Sequence, residues 1–131
     1  MSVKDIVIGI DSSTTATKAI GWTRDGAFIA EGRCPIALLN PEPGYFEQDP
    51  KDWWQSTADA LRQLTGKIDV ERVAALAVSN QRETSCVFDE EETPLMPGTS
   101  GWTNALSPSK RPLPRRMVLN GSAVCPASPP T

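Results

Sequence analysis

The sequence predicts an α/β fold that opens with antiparallel hairpins. Two short apolar runs, 6–10 and 73–78, have the length of buried strands. Between them, apolar residues recur at helical spacing from Trp53 to Leu64. Turn-forming residues separate the segments, and the resulting order, β-β-β-α-β-β, is typical of a sheet with a helix packed against it.

The first three strands are predicted to form two consecutive hairpins. The run 6–10 ends in a tip of small polar residues, 11–15, and a second strand follows over 18–23. An Asp-Gly pair at 25–26 is typical of a tight turn. This turn leads into a third predicted strand over 28–34.

The middle of the chain predicts a loop followed by one helix. The segment 35–50 contains four prolines. Its end is typical of a helix start, because Asp49 can cap the first turn and Pro50 suits the first helical position. Gly66 is predicted to end the helix, and the tryptophan pair 53–54 is interpreted as core packing.

The last part of the predicted fold contains two strands. The run 73–78 is predicted to be fully buried, and polar residues at 80–84 follow it. A further short strand is predicted over 85–88, before an acidic turn at 89–94.

Charge and proline content divide the chain near residue 96. The sequence has 13 basic and 16 acidic residues, but all the acids lie in residues 1–96, which carry a net charge of −7. Residues 97–131 contain four bases, no acid and seven of the 12 prolines. We therefore predict a folded N-terminal body, 1–96, and an aberrant, basic, disordered tail, 97–131.

Composition argues against several classes of protein. The chain has no run of 18 apolar residues, and Asp5 lies where a signal peptide needs its apolar stretch. Three cysteines without metal-type spacing favour a reducing compartment, and the absence of histidine excludes His-based catalysis. We expect a cytoplasmic protein without a membrane partner, and the acidic body argues against a nucleic-acid partner.

The tip 11–15 has the residue types of a phosphate-binding turn. Backbone N–H groups and hydroxyls that converge in a tight turn can bind phosphate oxygens. A neighbouring carboxylate, here Asp11, can orient a hydrated Mg²⁺ ion, and Lys18 can add a positive charge. The same residues also suit an ordinary hairpin turn, and spacing alone favours that interpretation.

The segment 80–84 is less ordinary, because five consecutive polar residues follow a predicted buried strand. The planar guanidinium of Arg82 donates hydrogen bonds from several N–H groups, and the carboxylate of Glu83 accepts hydrogen bonds. Together they can bind the hydroxyls of a polyol. An exposed loop with a surface ion pair explains these residues equally well.

Three motifs in this order resemble the N-terminal part of the FGGY carbohydrate kinases, the family of glycerol kinase and xylulokinase. They are IGIDSSTTATK at 8–18, GYFEQDP at 44–50 with the tryptophans 53–54, and NQRET at 80–84. The resemblance covers about residues 4–96. It implies an incomplete ribonuclease-H-like (actin-like ATPase) N-terminal domain, with ATP and Mg²⁺ as cofactors.

The resemblance also implies roles for individual residues. The phosphate-binding residues would be Asp11, Ser13, Thr14, Thr15 and Lys18, with Mg²⁺ bound to Asp11 through water. The substrate-binding residues would be Gln81, Arg82 and Glu83. Family members commonly have glycine in place of Ser13, which permits close backbone approach or a positive φ. The family's catalytic base is an aspartate farther downstream, so no catalytic residue is assigned in this chain.

The tail departs from the family pattern and suggests a change of reading frame. The family continues with a Trp-x-Asp-x-Arg sequence, whereas this chain has Gly-Trp-Thr-Asn-Ala at 101–105. Read in another frame, the codons for 100–105 must encode that aspartate, and they permit Trp-Leu-Asp-Glu-Arg-Ala. We therefore predict a frameshift near 97–100, with a genuine lineage-specific tail as the alternative.

The expected function is ATP-dependent phosphorylation of a small sugar or polyol hydroxyl by the intact relative. This chain alone is expected to be inactive. Whether the intact protein forms a homo-oligomer is not decided by the sequence. The 80–84 motif favours a glycerol-like polyol, whereas the out-of-frame sequence favours a xylulokinase-like substrate. The alternatives are a non-enzymatic actin-like nucleotide-binding module and a fragment without activity.

Overall fold

The computed structural model describes residues 3–100 of the chain. Its elements are β1 (Ile6–Ser12), β2 (Ala16–Thr23), β3 (Phe28–Pro35), β4 (Glu47–Gln48), α1 (Pro50–Thr65), β5 (Val73–Asn80) and β6 (Gly98–Thr99). A short 3-10 helix, Val70–Arg72, precedes β5. Most of the predicted tail, 101–131, lies outside the described residues.

The described residues form two compact units. The first unit contains the chain up to Ala37 and Lys51–Gln81, and the second contains Leu38–Pro50 and the described residues from Arg82 onward. The sheet of the first unit has the order β3-β2-β1-β5. Strands β1, β2 and β3 are antiparallel neighbours, and β5 is parallel to β1. The predicted α/β fold with opening hairpins is confirmed.

Helix α1 packs on one face of this sheet, and the core lies between them. The helix begins at Pro50, as predicted, and ends at Thr65, directly before Gly66. Alternation along β1 turns two isoleucines toward the helix, and the buried cluster there consists of Ile8, Ile10, Ala19, Ala60 and Leu64. Among residues 3–100, α1 is the single α-helix, and it is neither long nor apolar enough to span a membrane.

Only one of the two adjacent tryptophans joins the core. Trp53 is buried, whereas Trp54 is 46% exposed, so the prediction of core packing is correct for Trp53 and wrong for Trp54. Consecutive residues on a helix point in directions about 100° apart. A single packed face therefore cannot bury both rings.

Helix α1 lies directly against β3 at Gly32. A Cβ atom built on this glycine would lie 2.8 Å from the Cβ of Gln63, and it would clash with the carbonyl oxygen of Ala60. The backbone of the helix therefore rests directly on the strand at this point, which only glycine permits.

The prediction that 73–78 is buried is wrong for the described structure. Leu76 is 49% exposed and Val78 is 58% exposed. Strand β5 lies at the edge of the sheet, and the buried cluster under α1 draws its strand residues from β1 and β2. No described residue pairs with the outer edge of β5. The sheet is that of an incomplete domain.

The second unit contains a short strand pair. Strand β4 is antiparallel to β6, with Glu47 opposite Thr99 and Gln48 opposite Gly98. The loop predicted over 35–50 therefore includes two residues of strand. Residues 98–100, which belong to the predicted tail, are described and buried here.

The strand predicted over 85–88 is wrong. Ser85 and Phe88 form only isolated bridges, to Thr99 and Pro94 respectively. The backbone partners change within these four residues, so no continuous ladder forms. Asp89 follows, and its carboxylate accepts hydrogen bonds from the backbone of the acidic turn.

Candidate functional site

The tip between β1 and β2 is a tightly closed turn. The N–H of Ser13 donates to the carbonyl oxygen of Ala16 at 3.0 Å, and the hydroxyl of Ser13 donates to the same oxygen at 2.8 Å. The carbonyl of Thr15 accepts a hydrogen bond from the N–H of Ile36 at 2.9 Å. Thr15 itself is exposed at the turn.

Ser13 does not need the backbone freedom of the glycine that commonly stands there in the family. Among residues 3–100, the non-glycine residues with positive φ are Glu83 and Glu92, so Ser13 fits the tip without that strain. Both donors of Ser13 are used inside the tip. In this geometry Ser13 shapes the turn and offers no hydrogen-bond donor to a ligand.

A chain of hydroxyl groups anchors the tip to the helix. Thr17 lies opposite Ser12, and its hydroxyl donates to the Ser12 hydroxyl at 3.3 Å. The Thr17 hydroxyl is also 2.8 Å from the hydroxyl of Ser56 on α1, and both of these residues are buried. The Ser56 hydroxyl also lies 3.2 Å from the carbonyl oxygen of Trp53, which competes with Thr17 for its single hydrogen. This network is not apparent from the sequence, because only the strand register brings the groups together.

Asp11 and Lys18 lie directly opposite each other on β1 and β2. Their neighbours Ile10 and Ala19 pack toward α1, so this pair faces away from the helix. Asp11 is exposed and Lys18 is half-buried. Within the described part of the chain, neither side chain forms an ion pair.

Asp11 fits a hydrated Mg²⁺ ion rather than a metal enclosed by protein ligands. The described residues contain no group of three or more His, Cys, Asp or Glu side chains that could hold a metal. Mg²⁺ usually keeps several waters and binds through one or two carboxylates plus substrate phosphates. One exposed carboxylate beside a turn of this type meets that requirement.

Gln81 lies beside the tip. Its N–H donates to the carbonyl oxygen of Ser12 at 2.9 Å, which continues the pairing of β5 with β1 by one residue. Gln81 is half-buried. The first unit therefore brings Asp11, Lys18 and Gln81 to the end of the sheet where β1 enters the tip.

Arg82 and Glu83 follow Gln81 in the chain and belong to the second unit. Both are exposed, and the surface ion pair that the sequence left open is absent from the described structure. Glu83 has a φ of 60°, in the left-handed region that costs a non-glycine residue about 1–3 kcal/mol. The hydroxyl oxygen of the next residue, Thr84, is buried and has no hydrogen-bond partner among residues 3–100.

The groups with shifted pKa values lie outside the tip. Asp5 accepts two hydrogen bonds from the guanidinium of Arg72, at 2.7 and 2.9 Å, and this contact lowers the pKa of Asp5. The pair joins the start of β1 to the residue before β5. Burial raises the pKa of the Cys34 thiol, with a further contribution from Asp59 and Asp52. Cys34 is therefore not an activated nucleophile.

Comparison with known proteins identifies the family. The model of the FGGY family of carbohydrate kinases, N-terminal domain, matches residues 6–105. The chain belongs to the FGGY carbohydrate kinases. The match extends nine residues beyond the boundary predicted at 96.

Glycerol kinases are among the similar proteins of this FGGY family. The chain is 31% identical to the enzyme of Aquifex aeolicus over 86 residues, which are 66% of this chain and 18% of that protein. It is 33% identical to the enzyme of Symbiobacterium thermophilum over 90 residues, which are 67% of this chain and 18% of that protein.

Solved structures of FGGY kinases confirm the predicted actin-like ATPase fold. A gluconate kinase from Lactobacillus acidophilus has a TM-score of 0.71 and 27% identity, covering 76% of this chain and 20% of that protein. A xylulose kinase from Rhodospirillum rubrum has a TM-score of 0.69 and 26% identity, covering 74% of this chain and 20% of that protein. The chain spans about a fifth of the length of these relatives.

Proposed function

We propose that this chain supplies the N-terminal phosphate-binding and substrate-binding elements of an ATP-dependent kinase for small sugars or polyols. The observation that carries the proposal is the grouping of Asp11, Lys18 and Gln81 at the end of β1 beside a closed tip. Ligands of open α/β sheets bind outside the carboxyl ends of the strands. Family membership and relatives named for glycerol, gluconate and xylulose support the substrate class.

The geometry of the tip supports the proposed nucleotide elements. Thr14, Thr15 and Lys18 bind phosphate oxygens, while Ser13 holds the turn closed through its two bonds to Ala16. Asp11 holds Mg²⁺ through water, and the ion, when bound, neutralises charge on the phosphates. The hydroxyl chain under the tip keeps these groups in place, because it ties the strands to a helix rather than to a loop.

The substrate elements are Gln81, Arg82 and Glu83. The Glu83 carboxylate accepts hydrogen bonds from substrate hydroxyls, and the Arg82 guanidinium donates to hydroxyl oxygens. Two observations support this assignment. Neither side chain is engaged by another described residue, and the backbone of Glu83 carries a strain of the kind that clusters at functional sites.

We also propose that the 131-residue chain, assayed alone, transfers no phosphoryl group. Phosphoryl transfer depends on groups positioned on all sides of the reacting phosphate. The chain spans about a fifth of the length of its relatives. The catalytic base expected from the family is not assigned to any residue of this chain. A cytoplasmic setting fits Cys34, whose thiol forms no disulfide among the described residues.

Calorimetric titration tests the two binding roles separately. The chain is titrated with a non-hydrolysable ATP analogue plus Mg²⁺, and in separate runs with glycerol, xylulose and gluconate. Glu83→Gln should weaken polyol binding about tenfold, since it removes one charged hydrogen bond, and should leave nucleotide binding unchanged. Glu92→Gln is the matched control, because Glu92 is also an exposed glutamate with φ near 60°.

The outcomes separate the candidate functions. Binding of nucleotide without any polyol would favour the non-enzymatic nucleotide-binding module. Binding of neither ligand would leave a fragment without this function and would contradict the proposal. ATP-dependent phosphorylation of glycerol by the chain alone would contradict the proposed lack of activity.

The proposed change of reading frame has its own test. We propose that the tail departs from a kinase sequence that continues in another frame. The departure predicted near 97–100 lies before the end of the family match at residue 105, which counts against so early a boundary. The genomic DNA after codon 97 should then contain a long open frame that resembles FGGY kinases. A stop codon soon after that point in both other frames would contradict the frameshift and favour a genuine tail.

A further inference from the structure

Four neighbouring strands place four polar residues in one row across the sheet. In the order of the strands from β5 to β3, Ser79 lies opposite Asp11, Asp11 opposite Lys18, and Lys18 opposite Arg33. Residues directly opposite each other point to the same face. Gly32, next to Arg33, meets α1, so the row lies on the face away from the helix.

The row contains two adjacent cations without an ion pair. Cβ atoms of directly opposite residues are about 4.5–5.5 Å apart, and like charges in such positions destabilise a sheet. Arg62 and Arg72 have carboxylate partners, whereas neither Lys18 nor Arg33 has one among residues 3–100. Glu31, two residues from Arg33 on the same face, does not form an ion pair there either. The fold thus places two cations side by side near the tip, and neither forms an ion pair among residues 3–100, although Asp11 lies opposite Lys18.

We propose that Arg33 is a second anion-binding side chain, which acts together with Lys18 on the polyphosphate of a nucleoside triphosphate. The inference rests on the proposed function and adds a residue to it. Two cationic side chains whose Cβ atoms are about 5 Å apart can reach adjacent phosphoryl groups, and the planar guanidinium can bind two oxygens of one phosphoryl group. Asp11 lies on the other side of Lys18 in the row, where a hydrated Mg²⁺ would meet the same polyphosphate.

The side chain of Arg33 has no structural role that competes with this assignment. The structural contact of Arg33 is made by its backbone N–H, which donates to the side-chain oxygen of Gln63 on α1 at 3.0 Å. Any residue except proline keeps that donor. Since the side chain is exposed and not engaged within the described residues, replacing it should leave the fold intact.

Titration of the 131-residue chain with ATP and with inorganic tripolyphosphate tests the proposal. Arg33→Gln should weaken the binding of both ligands about tenfold, and it should reduce the dependence of affinity on salt. Arg33→Lys keeps the charge but loses the planar guanidinium that can bind two oxygens. Its affinity for both ligands should fall between those of wild type and Arg33→Gln. Arg24→Gln is the control, because Arg24 is an exposed arginine in the turn at the opposite end of β2.

The variants distinguish failure of this inference from failure of the proposed function. If Lys18→Gln loses tripolyphosphate binding and Arg33→Gln binds like wild type, the role of Arg33 is overturned and the proposed function stands. If Arg24→Gln weakens binding as much as Arg33→Gln, the effect is one of net charge and the inference fails. If the wild-type chain binds neither ATP nor tripolyphosphate, both proposals fail. Circular dichroism of each variant confirms that the comparison is made between folded chains.

Discussion

Replacing Gly32 by alanine would place a methyl group where helix α1 already lies. The new Cβ would be 2.8 Å from the Cβ of Gln63 and would clash with the carbonyl group of Ala60. The Ala60 obstacle is helix backbone, which cannot rotate away as the end of a long side chain can. The helix itself must therefore move away from β3.

The cost can be worked out from the contacts that this movement disturbs. Ordinary contact between carbon and oxygen atoms requires the helix to retreat by about 1.4 Å, and overpacking of this kind costs about 1–3 kcal/mol. The movement also strains the hydrogen bond from the Arg33 N–H to Gln63, which contributes about 1 kcal/mol. We expect Gly32→Ala to lower the free energy of unfolding by about 2–4 kcal/mol, a large share of the stability of a small domain.

Urea denaturation followed by tryptophan fluorescence measures this change, because Trp53 is buried in the native fold. Gly9→Ala is the matched control, since a Cβ on Gly9 meets no atom within 4 Å. Gly9→Ala should be as stable as wild type or more stable by up to about 1 kcal/mol. Equal stability of Gly32→Ala and wild type would refute the close approach of α1 to β3. Where urea gives no cooperative transition, amide exchange of α1 provides the same comparison.

Three further predictions concern single side chains. The lowered pKa of Asp5 means that its pair with Arg72 stabilises the fold above the unfolded pKa of about 3.9 and is lost as pH falls through the folded value. Asp5→Asn should therefore be less stable than wild type at pH 7 in urea titrations, and the difference should shrink as the pH falls below about 3.9. Glu92→Gly, which relieves a φ of 61°, should raise the free energy of unfolding by about 1 kcal/mol. Thr17→Val removes a buried partner of Ser56 and should lower that energy by about 1–3 kcal/mol; an unchanged value would contradict the hydroxyl chain.

The elements that the sequence predicted correctly are those set by local residues. The turn at 25–26 forms with Gly26 at a φ of 84°, and α1 begins at Pro50, because each depends on neighbours in the chain. The exposure of β5 could not be predicted, since burial depends on what covers a strand and not on its composition. The two-residue pairing of β4 with β6 was missed for a similar reason, because it joins residues about 50 positions apart.

The candidate site likewise contains some residues that the sequence predicts and others whose place only the structure reveals. Asp11, Lys18 and Gln81 were found from motifs, and the structure brings them to one end of the sheet. The place of Arg33 beside Lys18 depends on the register of β2 with β3, which shifts between Gly21 and Trp22. No pattern of alternation in either strand reveals that shift. The left-handed backbone of Glu83 is likewise a product of tertiary context.

The parallel pairing of β1 with β5 has a consequence for how the chain folds during synthesis. About 60 residues separate the two strands, whereas β1, β2 and β3 are joined by short turns. At about 5–20 residues per second, a ribosome needs about 3–12 s to add that interval. During those seconds the nascent sheet exposes the edge of β1. When β5 arrives, the edge with which no described residue pairs lies on a strand that has neither charge nor proline to protect it, so chaperone binding during translation should concentrate on 73–80.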